Sequence, residues 1–314
     1  MGALSRRSFI GGSLATAFPA VASAQASNPV LRVGCAANDD FAQAYYAANT
    51  GLFQSAGLNV EIQTLANGAA AADAVIGGSL DIAITTPLLL ANGVMRGLPF
   101  AIFAAGPIST MATNQIGLCV ANDGPIRRPA DLAGKTVGMA TLHTVLQLGL
   151  DCYLAANHVD ASSVQNVEIV FSAAGAAVKR GTIAAALILE PFLTAALKDG
   201  GLRSLANPYH FVAPNFLLGA WFTNRQFAGQ HPDVLRKFAG VMYQTARWAK
   251  THHDESAAIL EKYAKIPPDL LHSMSRAQYA ERMNLGDMQA VLDVAVRYGL
   301  LAKPVRAADL VVTV

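Results

Sequence analysis

The chain runs to 314 residues, 53% of them hydrophobic and only 14% charged, with 23 Lys and Arg against 21 Asp and Glu and a formal net charge of +2. A chain of this length folds as one large domain or two smaller ones, and its near-neutral balance gives no support to nucleic acid as a partner. Cys35, Cys119 and Cys152 are odd in number and widely spaced, so they read as small buried side chains rather than a disulfide framework; zinc-ligand spacing is absent, and no metal or cofactor is expected.

Ser5-Arg6-Arg7-Ser8-Phe9-Ile10 precedes an uncharged stretch over 11–21 and a small-x-small site at Ala22-Ser23-Ala24. That order predicts a signal peptide over 1–24, of twin-arginine type because Phe9 follows the arginine pair, although Gly11 stands where a lysine is common. A membrane span needs about 20 apolar residues, and this stretch is too short and too rich in Gly, Ser and Thr. Cleavage near Ala24 removes Arg6 and Arg7 and brings the 23 basic side chains level with the 21 acidic ones. The expected product is periplasmic and not membrane-embedded. No cysteine sits at the cut site, so a lipid anchor is not expected.

Short runs rich in Val, Ile and Leu then alternate with amphipathic segments, the pattern of parallel strands crossed over by helices. Strands are predicted over 30–35, 60–65, 81–85 and 100–104, and between the first two a helical stripe of Phe41, Tyr45, Ala48 and Leu52 faces a sheet. After 116–121 a second set begins, with strands over 136–139, 167–171 and 184–189. From His231 the chain turns helical: Pro232 suits a first helical turn, and Leu235, Phe238, Ala239, Met242 and Ala246 form an apolar stripe expected to wrap back onto an earlier lobe.

One segment echoes another. Val75 to Ile84 and Val178 to Leu187 both run from a helix end through a glycine turn into an apolar strand, with Gly78 and Gly181 lying 103 positions apart. Such a distance is too long for a solenoid repeat and indicates two lobes of similar build. Ligands of such sheets bind beyond the carboxyl ends of the strands, so two facing lobes make a cleft.

Gly51-Leu52-Phe53 with Ala56-Gly57-Leu58, then Gly78-Ser79-Leu80-Asp81-Ile82-Ala83, Arg96-Gly97-Leu98-Pro99, Pro129 through Val137, and Glu190-Pro191-Phe192 carry a resemblance over nearly the whole chain after the leader. In their order and spacing they resemble the nitrate/taurine/sulfonate-type substrate-binding proteins of ABC transporters, a group that also takes in thiamine-pyrimidine-synthase-like proteins. The resemblance implies an α/β periplasmic-binding-protein type II fold, the Venus flytrap, with its helical C-terminal tail packed on the first lobe. It implies lobe 1 from 25–117 and 219–314, lobe 2 from 118–218, and crossovers near 116–121 and 217–223. The implied function is capture of a small solute, by a monomer, for an ABC permease with its ATPase. A solute touching both lobes binds the closed form better than the open one, and that difference drives closure. Ala184 departs from the pattern, since the family usually carries Asp there.

Loops that leave a strand and open a helix present unpaired N–H groups to an anionic or polar solute. Four such loops supply the candidate ligand-binding residues Asn38, Asp39, Thr85, Thr86, Thr141, His143 and Glu190. Asp40 with Gln43 reads as a helix cap, and Thr85 and Thr86 fit the cap of a helix opening at Pro87 as well as they fit ligand contact. Acidic Asp39 and Glu190 would repel a bare anion, which puts a zwitterion or a neutral heteroaromatic solute beside a simple sulfonate.

Enzyme readings meet obstacles. Gly134-Lys135-Thr136 would end a P-loop, but the required earlier glycine is Pro129. A thiamine pyrimidine synthase needs a cysteine-rich segment that is missing. An aromatic sulfinate desulfinase would use a cysteine near Cys35 together with a histidine and an arginine between the second and third strands, and residues 59–94 contain neither. No catalytic residue is expected. A sensor kinase in place of the permease stays open as the partner.

Overall fold

A computed structural model describes residues 1–2 and 29–314, so the predicted leader lies outside the described residues apart from Met1 and Gly2. In chain order the strands are β1 (Val30–Ala36), β2 (Asn59–Leu65), β3 (Ile82–Thr85), β4 (Phe100–Ala105), β5 (Pro107–Thr110), β6 (Ile116–Ala121), β7 (Thr136–Met139), β8 (Gln165–Glu168), β9 (Ala185–Leu189), β10 (Leu202–Ser204), β11 (Asn215–Leu217), β12 (Ala220–Asn224) and β13 (Gln278–Tyr279). They form two five-stranded sheets, ordered β2-β1-β3-β12-β4 and β8-β7-β9-β6-β10, and a small third sheet, β11-β5-β13. In each large sheet four strands run the same way, and the strand that follows a connection between the sheets, β12 or β6, lies antiparallel between its neighbours.

This is the predicted α/β architecture of two lobes. The connections between the large sheets run through β5 and β11, an antiparallel pair. Residues 116–121, expected as a crossover, are β6 inside the second sheet, because Ile116, Leu118 and Val120 are all buried. The strand expected over 167–171 also shifts: β8 ends at Glu168, and Phe171 opens the helix Phe171–Lys179. Ile169 is apolar because its side chain fills the space over Gly138, not because it continues the strand.

The echo between the lobes is physical. Ser79 N–H bonds the Ala74 carbonyl at 3.0 Å and Thr182 N–H the Ala177 carbonyl at 3.0 Å; Asp81 N–H reaches Arg32 and Ala184 N–H reaches Thr136, each at 2.9 Å. Gly78 and Gly181 both sit in the left-handed region, at φ 73° and 70°, where glycine adds no Cβ clash. The first strand of each lobe carries a second matched glycine: a Cβ on Gly34 would collide with the Leu80 side chain, and one on Gly138 would lie 2.7 Å from Ile183 Cδ1.

The tail packs on the first lobe, as its apolar stripe predicts. Leu235, Phe238, Ala239, Met242 and Ala246 are all buried in the helix Pro232–Ala249. The Phe238 ring meets Phe53, Phe103 and Trp221 at centroid distances of 5.4, 5.8 and 5.1 Å. Burying one such side chain stabilises the fold by about 1.5–3 kcal/mol. Gln43 ties this layer together, donating to the Met242 carbonyl at 2.7 Å and accepting from Trp221 Nε1 at 2.9 Å. Among the described residues no helix is long and apolar enough to cross a membrane.

Candidate functional site

The carboxyl ends of β1, β2 and β3 face those of β7, β8 and β9 across a small cavity of about 40 Å³. The first lobe lines it with Asn38, Asp40 and Phe41 after β1, Asn67 and Gly68 after β2, and Thr85 and Thr86 after β3. Opposite stand Thr141, Thr144, Val145 and Leu146 after β7, then Phe171 and Leu189. Tyr209 and Leu218, from the return connection, complete the wall.

Among the described residues four helices start at this wall; the helix Phe171–Lys179 has no side-chain cap, and the other three are each capped by a side chain. Asn67 accepts from Ala70 N–H at 3.0 Å, Thr86 from Leu89 N–H at 3.3 Å and Thr144 from Leu146 N–H at 3.3 Å. Capping therefore fixes the wall's shape and takes one acceptor site of the Thr86 and Thr144 hydroxyls, leaving the Thr86 O–H free to donate. Asn38 Oδ1 accepts likewise, from Phe41 N–H at 3.0 Å. Gly68 has no side chain because a Cβ there would strike the Thr85 hydroxyl.

Two groups in the wall have no hydrogen-bond partner among the described residues. Asp40 is 2% exposed and Thr85 0%, and neither Asp40 carboxylate oxygen nor Thr85 Oγ1 makes a hydrogen bond. Burying such groups unpaired costs about 1–3 kcal/mol each. The cap expected from Asp40 does not form: the helix Gln43–Asn49 has Ala42 at its N-cap and no side-chain cap bond, because Asn38 already holds the turn. Burial, followed by the charges of Asp39 and Glu190, pushes the Asp40 carboxyl well above its ordinary pKa.

The other two acidic candidates stand beside the cavity, outside its wall. Asp39 accepts from Arg276 Nε and Nη2 at 3.1 and 2.9 Å, from the Tyr46 hydroxyl at 2.7 Å and from Ala277 N–H at 2.6 Å. Burial disfavours the Arg276 charge, Asp39 more than offsets that, and the guanidinium pKa ends above its usual value. Glu190 accepts from Thr194 N–H at 2.9 Å, from the Thr194 hydroxyl at 2.8 Å and, from the first lobe's tail, from Ser275 N–H at 3.3 Å. Its pKa is raised by burial against these donors. Asp39 N–H also donates to the Glu190 carbonyl at 3.3 Å, so two hydrogen bonds cross between the lobes here.

Thr141 is in the wall. His143 is exposed, at φ 55°, with its N–H on Gln147 Oε1. Thus Asn38, Thr85, Thr86 and Thr141 come together at the cavity, while Asp39, His143 and Glu190 surround it. Phe41, Phe171 and Tyr209 were not among the sequence candidates. Tyr209 lies close enough to Asp40 for its own pKa to be raised by that charge after burial, yet 169 positions separate the two.

Cys35 is 1% exposed, in the core of the first lobe rather than the cavity wall. Burial pushes its thiol up to about 12, so the thiolate is scarce at neutral pH. Cys119 and Cys152 are likewise free and buried, as expected.

Residues 38–256 match the family model described as NMT1/THI5 like. A candidate binding protein of Brucella abortus is 26% identical over 270 residues, covering 84% of this chain and 80% of the relative. Among solved structures, the alkanesulfonate-binding protein SsuA from Xanthomonas axonopodis pv. citri, bound to MOPS, superposes with a TM-score of 0.77 at 19% identity, covering 92% of this chain and 100% of that one. The desulfurization enzyme DSZB also has this fold, with a TM-score of 0.65 at 15% identity over 91% of this chain and 97% of that one.

Proposed function

The chain belongs to the NMT1/THI5-like family, and from that premise we propose that it is the periplasmic solute-binding component of an ABC importer. Export by the twin-arginine leader over 1–24 places it there. Lobe 1 (25–117 and 219–314) and lobe 2 (118–218) close on a small solute of the sulfonate, nitrate or pyrimidine-like classes and present the closed form to a permease with its ATPase. Asn38, Thr85, Thr86 and Thr141 touch the solute. Asp39 and Glu190 set the closed geometry from behind, and His143 stands at the rim.

The observation that carries this reading is the buried, unpartnered pair Asp40 and Thr85 in a cavity walled by both lobes. A folded protein seldom buries such groups without a protein partner, and a ligand that completes them accounts for the exception. Binding without chemistry is supported by the position and raised pKa of Cys35.

The test is a thermal-shift screen of the leaderless protein against sulfonates, nitrate, pyrimidines, amino acids and aromatic acids. A solute at 100 times its Kd adds about 2.7 kcal/mol of stability and should also contract the protein in X-ray scattering. Absence of any shift or contraction across the screen would refute the reading. Sulfite release from an aromatic sulfinate, lost in Cys35→Ala, would replace it with the enzyme.

A further inference from the structure

Among the described residues Asp40 is the one carboxylate in the cavity wall, and no cation there pairs with it. The charges that act on it are those of Asp39 and Glu190, both of its own sign. The nearest cationic partner to this cluster, Arg276, is bound through Nε and Nη2 to Asp39 and through Nη1 to the His253 carbonyl. The other titratable groups that couple to Asp40 are Tyr209 and Tyr279, whose phenols are held neutral by burial. Around it the wall is largely apolar: Phe41 from the first lobe, and Leu146, Phe171 and Leu189 from the second.

An unpaired buried acid surrounded by like charge destabilises the empty protein, and a cation bearing N–H donors removes that penalty most completely. Resting on the cleft reading above, we propose that the solute carries a protonated nitrogen, an amine or an amidinium, that docks on the Asp40 carboxylate with the Thr85 hydroxyl as a further acceptor. Both side chains are at least nine-tenths buried and line the cavity. The aromatic rings of Phe41 and Phe171 suit such a cation as well. Glu190 then has a second use, since its negative charge, unlike that of Asp39, is not offset by an ion pair among the described residues and favours a cation here over a bare anion.

A proton balance follows. Without solute, Asp40 is held toward its neutral form; when the cation arrives, the carboxyl proton leaves to solvent and one positive charge takes its place. Affinity therefore weakens as the pH falls below the pKa of Asp40 in the empty protein, by up to about tenfold per pH unit.

The experiment uses the leaderless wild type and Asp40→Asn, titrated by calorimetry at two pH values and in two buffers. The probes are pairs matched in size, taurine against isethionate and benzamidine against benzamide, with ethanesulfonate and nitrate as anions. The expected result is binding of a cationic member at least tenfold tighter than its hydroxyl or amide counterpart, release of a proton on binding, and loss of more than tenfold in Asp40→Asn. Asp40→Asn should melt no lower than wild type when empty, so its loss of binding would not reflect misfolding. Equal or tighter binding of the uncharged or anionic members, or affinity in Asp40→Asn within twofold of wild type, overturns the cation while leaving the cleft reading intact. No binding of any of the six probes by wild type overturns the cation and counts against the cleft reading as well.

Discussion

Around Gly78 and Gly181 the two lobes share matching backbone bonds, from Ser79 and Thr182 and from Asp81 and Ala184, yet they give the cavity different characters. The first lobe ends its strands in Asn38, Asp40, Thr85 and Thr86 with Phe41 beside them; the second adds Leu146, Phe171 and Leu189 to Thr141 and Thr144 and carries no carboxylate in the wall. The outer turns differ in the same sense. Asp81 binds Arg32 through its Nε at 3.1 Å and its backbone N–H at 2.8 Å, whereas Ala184 has no side chain to offer Thr136. A shared backbone thus sets where a wall stands, and a handful of strand-end residues decide what it holds. The carboxylate missing at position 184 leaves the turn intact, because the backbone bond from Ala184 N–H to Thr136 forms without it.

The largest effect is expected behind the first lobe's wall. Arg276→Met strands the buried Asp39 carboxylate and should cost about 3–5 kcal/mol in urea denaturation; a loss under about 1 kcal/mol would show that the pair does not organise this side. Next come the matched glycines, where overpacking costs about 1–3 kcal/mol. Gly138→Ala should cost more than Gly34→Ala, because its Cβ would lie 2.6 Å from Ile169 Cγ2, on a stiff branched side chain, while Gly34 is crowded by leucine tips. The reverse order would break the parallel between the lobes.

Asp40→Leu removes the unpaired acid and should raise the stability of the empty protein by about 1–2 kcal/mol while abolishing solute binding. It should also flatten a pH dependence. A carboxyl whose folded pKa is raised contributes stability at low pH that is lost as pH rises through that pKa. Asp40, by burial, and Asp151, pushed up by burial to about 6 from 3.8, both work in this direction. The empty wild type should therefore lose stability as pH rises from about 4 toward neutrality, and Asp40→Leu should lose less of it. The smallest effect belongs to the double change Thr136→Arg with Ala184→Asp, which copies the first lobe's exposed pair and should add no more than about 0.5–1 kcal/mol.

Most of the fold was legible because it rests on local signals. Periodicity marked the helix Pro232–Ala249 and its buried stripe, and the spaced glycines marked the two lobes. The site was legible only where a strand end met a helix start, as at Thr85, Thr86 and Thr141. Asp40 was misread as a cap because capping and ligand binding favour the same residue types, and which of Asn38 and Asp40 takes the cap depends on the turn's geometry. Asp39 looked free for a ligand because its partner, Arg276, lies 237 positions away. Phe171 and Tyr209 carry no local mark at all; only the facing of the lobes brings them to Asp40.

The central claim is that the space between the lobes holds a solute. Native mass spectrometry of the protein isolated from its own host cells tests it most directly. The account predicts a bound small molecule that is lost on denaturation and is absent from Asp40→Leu. Wild type recovered empty, with an identical mass in both proteins apart from the substitution and no solute restored by incubation with host-cell extract, would contradict it.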